Sequence, residues 1–404
     1  MTARLTAMAW TLVPLALLAG CEGSKKPATA KAKVQPRETL NKTTQVVLKL
    51  SDALAQGGVL AATTIEVADP LTQSASAYRT QVAKLAAMKV KQAIDIRNDP
   101  AETSKITQQL IDDGAVYLIG TTGDGISAEG ALACAAGIPV STGDGTAATL
   151  VDDIGPCAFQ LLMNDTIQGA IAADFALAQG YRTAVLISSP EIPYTANLPG
   201  YFAEVFRQGG GSVSAEEPYQ IEAGDFSAVS TKIANLDTQP DVIYTPMFPP
   251  DTQIFIRQLR QAGVTTPVIS SDGNLDPSLT SAGADALDGM VFTAAVCPAD
   301  ADDAVGAFFA AYNARYAKDP SSVVATLGYD EIKILAQAIE QAGAADPAGI
   351  IKALSAYEYA GVSGTGVMDG ATRRAKKPAA LIQMDGDVFT CLEQPGYPAF
   401  VPEP

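Results

Sequence analysis

Two aspartates, each flanked by glycines, are the residues of this chain that could most readily contact a ligand through a charged group. The tetrapeptide Thr-Gly-Asp-Gly occurs at 122–125 and again at 142–145, which places Asp124 and Asp144 in matching surroundings. Glycine permits positive φ and a close approach of the backbone, and a neighbouring aspartate can direct a negative charge into a cleft. Aspartate before glycine is also a common turn and helix-cap residue, so both interpretations stay open.

The sequence lacks most of the residues and motifs that are typical of enzyme active sites. The sequence contains no histidine, which removes the commonest general base, the Ser-His-Asp arrangement and imidazole metal ligands. It also has no GxSxG, no Walker A motif, no GxGxxG after a strand and no zinc-type cysteine spacing. A carboxylate pair such as Asp124 and Asp144 could serve acid–base chemistry or hold Ca²⁺, but it lacks a supporting ligand set. We therefore predict a protein that is not an enzyme and has neither cofactor nor metal.

The N-terminus has the features of a bacterial lipoprotein signal. Arg4 supplies a positive charge, 12–18 is a short apolar run, and Leu-Ala-Gly-Cys at 18–21 resembles a lipobox. The apolar run is too short to span a bilayer as a mature helix. We predict a signal peptide over 1–20 and lipidation of Cys21, which would anchor the mature chain to a membrane outside the cytoplasm. The alternative is a soluble secreted protein with an ordinary cysteine at this position.

Residues 21–37 are basic, whereas the rest of the chain that follows is acidic. Residues 21–37 carry five basic side chains and one acid, with Pro and Ala but no apolar periodicity, as is typical of a flexible tether. This tether suits either a stalk near anionic headgroups or a merely solvated linker. Residues 38–404 hold 21 basic and 43 acidic residues, a net charge of −22. Such acidity argues against a nucleic-acid partner.

The body of the chain alternates apolar, strand-like runs with amphipathic, helix-length segments. This alternation is typical of parallel sheets covered by helices on both faces, and its length predicts two doubly wound α/β domains. Long helices are expected at 302–317 and 321–342, and short closing strands within 365–392. The other predicted strands are 63–68, 90–96, 115–119, 138–141, 183–188, 212–219, 241–245, 267–270 and 289–295. The predicted helices between them include 101–112, 126–136, 166–179, 226–236 and 251–262.

Seven segments in this order resemble the type I periplasmic solute-binding proteins of ABC transporters, of the branched-chain amino-acid and amide-binding kind. The likeness extends from about residue 60 to residue 392. It rests on VADPLTQSASAY at 67–78, IPVSTGDGTAATL at 138–150 and PVISSDG at 267–273. The other similar segments are 95–120, 224–233, 242–263 and 325–343.

The first βα unit departs from the pattern of that family. Its long first helix is reduced to about 74–88, and 39–56 forms an extra amphipathic helix before the first strand. An alternative register makes 45–50 the first strand. We favour the first register because the apolar residues of 46–54 have helical spacing.

The resemblance implies two Rossmann-like lobes joined by a hinge. We expect 38–163 plus 298–358 in the first lobe, 164–297 plus 359–395 in the second, and a C-terminal tail over 396–404. The hinge is expected to cross near 163–166, near 296–298 and near 359–364.

The resemblance also implies a ligand site between the lobes. Asp272 matches the acid that pairs with the ammonium group of amino-acid ligands in the family. Tyr194 matches an aromatic residue that closes over the ligand, while Phe248 and Tyr78 are further candidates for its wall. Tyr244 lies inside a strand run and is expected in the core.

The first-lobe loops of the family hold the ligand carboxylate with small hydroxyl residues and backbone amides. This chain has Asp124 and Asp144 at those positions, beside Gly125 and Gly145. Two negative charges facing a ligand carboxylate would be unfavourable. An amine, polyol, amide or other uncharged ligand would fit better.

Four cysteines remain when Cys21 is set aside, and this even number allows three pairings. The order of Cys134, Cys157, Cys297 and Cys391 along the chain suggests local bridges, Cys134–Cys157 and Cys297–Cys391, whereas the alternative is four buried free thiols.

Together these features predict a monomeric, periplasmic or cell-surface lipoprotein that captures a small polar, amine-bearing metabolite and delivers it to an ABC permease. A rival function is a ligand-sensing lipoprotein that presents its bound form to a membrane receptor. A second alternative is a binder of an amide, polyol or apolar ligand.

Overall fold

The two sheets of the protein are built from segments spread along most of the chain. The chain separates at Arg37/Glu38 into two units, and every residue described by the computed structural model belongs to Glu38–Pro404. The described residues are 100–112, 115–120, 123–142, 145–280, 284–297, 304–318, 325–343, 346–393 and 395–404.

Helices and strands alternate through the first two thirds of this region, and the last five elements before the tail are strands that each have an antiparallel partner. The helices are α1 Pro100–Asp112, α2 Gly123–Ala135, α3 Leu150–Ile154, α4 Asp165–Ala178, α5 Pro193–Gln208, α6 Ser227–Ala234, α7 Asp251–Gln261, α8 Ala304–Tyr316, α9 Ala325–Ala342 and α10 Pro347–Leu354. The strands are β1 Leu118–Gly120, β2 Val140–Thr142, β3 Ala158–Gln160, β4 Thr183–Ser188, β5 Ser212–Pro218, β6 Val242–Tyr244, β7 Val268–Ser270, β8 Val291–Ala294, β9 Glu358–Gly361, β10 Gly364–Asp369, β11 Arg374–Lys376, β12 Ala380–Asp385 and β13 Val388–Glu393.

The first sheet has the strand order β1-β2-β3-β11-β10-β9. Its pairs from β1 to β11 are parallel, whereas β10 is antiparallel to both β11 and β9. Buried side chains of α1, α2, α9 and α10 pack with β1, β2 and β3 in one apolar cluster. The sheet is therefore an α/β layer completed by an antiparallel hairpin.

The second sheet has the order β13-β12-β8-β7-β6-β4-β5, parallel from β8 to β5 and antiparallel at β12 and β13. Successive side chains of a strand point to opposite faces. In β4, Val185 and Ile187 join a buried cluster with α6 and α7, whereas Ala184 and Leu186 join one with α4 and α5. Helices thus cover both faces, which confirms the doubly wound α/β fold.

Most strands and helices predicted from the sequence are present, with end points shifted by up to four residues. Strand β4 has its predicted limits, 183–188. The short elements that were not predicted include α3 at Leu150–Ile154, β3 at Ala158–Gln160, α10 at Pro347–Leu354 and β9 at Glu358–Gly361. The predicted strands 63–68 and 90–96 and the extra helix 39–56 lie outside the described residues.

Strand pairing corrects one expected boundary. We placed 359–395 in the second lobe, yet β9, β10 and β11 pair in the first sheet and only β12 and β13 in the second. The chain therefore passes from the first sheet to the second at 377–379, and not near 359–364. Local sequence does not show which sheet the β9–β11 strands join. Their sheet is decided by the partner strand, here β3, which is distant in sequence. The assignment of whole lobes stays a prediction.

Both expected cysteine pairs are at disulfide distance. The Cα atoms of Cys134 and Cys157 are 5.3 Å apart, and those of Cys297 and Cys391 are 5.4 Å apart. The first bridge joins α2 to the residue before β3, and the second joins the end of β8 to β13. No helix within the described ranges combines the length and apolar character needed to cross a bilayer.

Replacing both Cys134 and Cys157 with alanine is expected to lower the free energy of unfolding by about 3 kcal/mol. The bridge closes a loop with a sequence separation of 23 residues, and cross-linking such a loop removes conformational entropy from the unfolded chain. Chemical denaturation of the variant and the wild type measures the difference. Complete alkylation of all four thiols in the wild type without reductant would contradict both bridges.

Candidate functional site

Three loops of the second sheet bring polar and aromatic side chains to one edge. Parallel strands present their carboxyl ends on the same side of a sheet, and open α/β folds bind ligands there. Strand β4 is followed by the helix that carries Tyr194, β6 by the loop with Phe248, and β7 by Ser271 and Asp272. The structure therefore brings together three of the residues predicted for the ligand site.

Asp272 is held in place by its neighbours. The Tyr194 hydroxyl donates a hydrogen bond to Asp272 Oδ1 over 2.6 Å and also lies 2.6 Å from Ser271 Oγ. The backbone N–H of Gly273 donates to the same tyrosine oxygen over 3.3 Å. Tyr194 is itself positioned in the first turn of α5, which begins at Pro193. A carboxylate fixed in this way can accept a charge-assisted bond from a ligand cation.

Tyr194 and Phe248 form an aromatic wall beside this carboxylate. Their rings stack with centroids 5.0 Å apart and an interplanar angle of 19°. Both residues are half-buried, so part of each is accessible to solvent. A Cβ at position 273 would lie 2.5 Å from Phe248 Cδ1, and only glycine allows the ring to pack there. By contrast, Tyr244 is fully buried, its ring stacks on a phenylalanine of α5, and its predicted place in the core is confirmed.

Two further residues of the site, Asp165 and Gln168, were not predicted from the sequence. Gln168 Oε1 accepts bonds from the Asp272 backbone N–H over 3.3 Å and from the Thr293 hydroxyl over 2.8 Å. Gln168 Nε2 donates to Asp165 Oδ1 over 3.2 Å. The backbone N–H of Asp165 donates to the carbonyl of Thr146, in the loop that follows β2 of the first sheet. The start of α4 thus links the two sheets beside Asp272.

A signal for these two residues was present in the sequence. Asp165 and Gln168 are three residues apart at the start of an otherwise apolar helix, so they share one helix face. Both are buried, with Asp165 only 1% exposed. Buried polar side chains on one face of an apolar helix are a better guide to a site than exposed ones.

The electrostatic surroundings of the two acids favour a cation. Burial raises the pKa of Asp165 well above its usual value, and the nearby charge of Asp272 raises it further. Burial also raises the pKa of Asp272, although its hydrogen bonds with Tyr194 and Gln168 act in the opposite direction. Burial raises the pKa of Tyr194, and the charges of the two carboxylates raise it further. A positive charge placed between the carboxylates would relieve their mutual repulsion.

The first-sheet residues predicted for the site are only partly described. The backbone N–H of Gly145 donates to Thr142 Oγ1 over 2.7 Å, which closes the turn after β2. Asp124 and Gly125 belong to the first turn of α2, and the side chain of Asp124 lies outside the description. Tyr78, Asp144 and Cys21, the expected site of lipidation, also lie outside the described residues. In the described part of the chain, no group of three or more His, Cys, Asp or Glu side chains is placed to hold a metal ion.

Comparison with known proteins gives relatives over most of the chain. The family model described as periplasmic binding protein matches residues 90–388. The leucine-, isoleucine-, valine-, threonine- and alanine-binding protein of Pseudomonas aeruginosa is 23% identical over 79% of this chain and 91% of its own length. A Leu/Ile/Val-binding protein of Rhizobium johnstonii is 25% identical over 70% of this chain and 81% of its own length.

Solved structures share the fold. A leucine-binding protein from Thermotoga maritima superposes with a TM-score of 0.67 at 26% identity, covering 75% of this chain and 86% of that one. A solute-binding protein of R. palustris in complex with 4-hydroxybenzoate gives a TM-score of 0.66 at 21% identity, covering 76% and 85%.

These matches agree with the observed fold, which has two sheets, helices on both faces of the second sheet and polar loops at the carboxyl edge of that sheet. The family consists of extracytoplasmic substrate-binding proteins of ABC transporters, which are not enzymes. The family model alone spans well over half of the sequence. The chain belongs to the type I periplasmic binding proteins.

Proposed function

We propose that this protein is a monomeric lipoprotein, anchored through Cys21, that captures a small polar, amine-bearing metabolite outside the cytoplasm and delivers it to an ABC permease. The observation that carries the proposal is the Asp272 carboxylate, oriented by Tyr194 at the carboxyl edge of the second sheet. Closure of two lobes on the ligand would shift an open–closed equilibrium, and a permease can then recognise the closed form.

The acidic surroundings of Asp272 favour an amine over an anion. A second carboxylate, Asp165, is linked to Asp272 through Gln168, and burial makes the ionised form of each carboxyl group costly without a cation. A ligand ammonium provides that cation. Several relatives are named for amino acids, which carry an ammonium group, whereas the R. palustris neighbour was solved with 4-hydroxybenzoate, which carries none. The two buried carboxylates of this chain favour a ligand of the first class.

A thermal-shift screen tests this ligand class. The probes are leucine, diamines, a short amide, a polyol and 4-hydroxybenzoate, each added to the mature protein. A ligand at 100 times its dissociation constant stabilises the folded state by about 2.7 kcal/mol. Stabilisation by amine-bearing probes supports the proposal. Stabilisation by 4-hydroxybenzoate or the polyol alone would contradict it and favour the alternative of a ligand without an amine.

The second candidate function is sensing, in which the liganded lipoprotein contacts a membrane receptor and no solute is taken up. Both functions use the same site, so ligand binding does not separate them. Uptake of the labelled ligand by cells with and without this protein does. Loss of uptake on deletion supports transport, and unchanged uptake supports sensing.

A Cys21→Ser variant is expected to leave the membrane fraction or to remain as an uncleaved precursor. Lipid attachment needs the cysteine thiol, and each buried methylene of an acyl chain contributes about 0.8 kcal/mol to membrane binding. Fractionation and mass spectrometry of the N-terminus measure both outcomes. Ser24→Ala, within the expected tether, is the matched control and should behave like the wild type. A Cys21→Ser protein that is processed and fractionates normally would contradict lipid anchoring.

A further inference from the structure

A cavity of about 250 Å³ lies beside the connection between the two sheets, away from the residues that surround Asp272. On one side it is lined by Lys377, Pro378 and Ala379, which connect β11 of the first sheet to β12 of the second. On the other side lie Val296, after β8, and Val305, at the start of α8. The cavity is lined by these small apolar residues together with the lysine and with polar residues that include Ser363 and Thr365.

Lys377 is the only one of these five residues that carries a charge, and it is buried, with 3% of its surface exposed. Its ammonium group donates to the carbonyl oxygen of Ser363 and, over 3.0 Å, to the Ser363 hydroxyl. An ammonium group has three N–H donors. Because Lys377 has only these two hydrogen-bond acceptors within the described residues, one N–H of its ammonium group can donate to a further partner. Burial lowers the pKa of Lys377 to about 8, against the opposing effect of the Asp330 charge.

Asp330 does not supply that partner directly. Its carboxylate accepts bonds from the backbone N–H groups of Val362, over 2.9 Å, and Ser363, over 2.7 Å, and from the Ser363 hydroxyl over 2.5 Å. No ion pair found among the described residues joins Asp330 to Lys377. The negative charge of Asp330 is therefore shared with backbone donors of the hairpin tip. Lys377 and Asp330 are thus buried opposite charges linked through the Ser363 hydroxyl, and the Lys377 side chain also lines the cavity.

We propose that this cavity binds a small monocarboxylate with a short apolar tail. The carboxylate would accept a charge-assisted bond from Lys377 Nζ, and the tail would pack against Val296, Val305 and Pro378. One spare N–H donor suits a single carboxylate group, because a dianion would leave a charge unpaired in a buried site. The cavity volume is below the roughly 300–1,000 Å³ of sites for drug-sized ligands, which limits the ligand to a small molecule.

Occupancy of this cavity would affect the main site as well. Residues 377–379 link the two sheets, so any movement of one sheet relative to the other changes the shape of the cavity. A ligand that fits one arrangement better shifts the population toward it, and the coupling between the two sites is then reciprocal. This second site goes beyond the proposed function, which concerns the site at Asp272.

Titration calorimetry of the mature protein with isovalerate and with benzoate tests the proposal. We expect measurable binding of at least one of them to the wild type, and no binding of isovaleramide, which has the same shape as isovalerate without the charge. Lys377→Met keeps the length and apolar stem of the side chain and should weaken carboxylate binding at least tenfold. Lys376→Met is the matched control, because Lys376 is an exposed neighbour paired with Asp369, and it should bind like the wild type.

Two further variants keep the result unambiguous. Lys377→Arg retains the cation and should retain carboxylate binding, which shows that a loss in Lys377→Met is not a folding defect. Asp272→Asn alters the main site only and should leave isovalerate affinity within twofold of the wild type. Absence of carboxylate binding, equal binding by Lys377→Met, or equally tight binding of chloride or sulfate would each overturn the proposal. None of these outcomes bears on the amine site, which is tested separately by the thermal-shift screen.

Discussion

An Asp272→Asn variant is expected to bind an amine-bearing ligand about 30-fold to several thousand-fold more weakly than the wild type, a loss of about 2–5 kcal/mol. Asparagine keeps the shape of the side chain and still accepts the bond from Tyr194, but it removes the negative charge. The ligand ammonium would then be buried in the closed cleft without its partner. Calorimetry with the amine found in the screen measures the loss.

The matched control is Asp276→Asn, an exposed acid four residues further along the chain whose carboxylate bonds only to the local backbone N–H of Ser278 among the contacts described. It should bind the ligand like the wild type. Because burial raises the pKa of Asp272, the wild-type affinity should begin to fall at a higher pH than for an exposed aspartate as the solution is acidified. Tight binding that is indifferent both to Asp272→Asn and to acidification would contradict an amine ligand at this carboxylate.

Asp330→Ala is expected to lower the free energy of unfolding by about 3–5 kcal/mol, the usual cost of removing one member of a buried charged network. Asp330 is 2% exposed and accepts hydrogen bonds from three donors at the tip of the β9–β10 hairpin. Alanine leaves the buried N–H groups of Val362 and Ser363 without acceptors, and each such group costs about 1–3 kcal/mol. It also removes the negative charge nearest to Lys377.

Denaturant titration of Asp330→Ala against the wild type measures this loss. Asp237→Ala, which removes a carboxylate from an exposed loop, is the control and should change stability by less than about 0.5 kcal/mol. Equal stability of the Asp330 variant and the wild type would mean that the hairpin tip does not depend on this carboxylate.

Sequence periodicity located the elements that have strong local signals. Strand β4 is a run of β-branched and apolar residues bounded by turns, and its limits were predicted without error. Strand β3 has three residues and no periodicity, so nothing local distinguished it from a loop. The pairing of β9–β11 with the first sheet depends on a partner more than 200 residues away in sequence, at β3, and local patterns carry no such information.

Part of the candidate site was likewise predicted from the sequence, and part was not. Asp272, Tyr194 and Phe248 were predicted from the resemblance to the family, and in the structure all three follow parallel strands at one edge of the second sheet. Asp165 was missed because an acid in the first turn of a helix is commonly explained by the helix dipole alone. Its role becomes visible only when Gln168 is seen to connect it to Asp272. The disulfide pairs were predicted correctly because, in both, the cysteines are neighbours in chain order.

The tight contact between Gly273 and Phe248 restricts how the specificity of this protein can be altered by directed evolution. A side chain at position 273 would overlap the phenylalanine ring, whose other neighbour is Tyr194. Substitutions at positions in contact are strongly non-additive. Libraries that vary position 273 alone would therefore be dominated by damaged proteins, whereas paired libraries with a small residue at 248 would reach new cleft shapes. Natural relatives that recognise different solutes should show compensating sizes at these two positions.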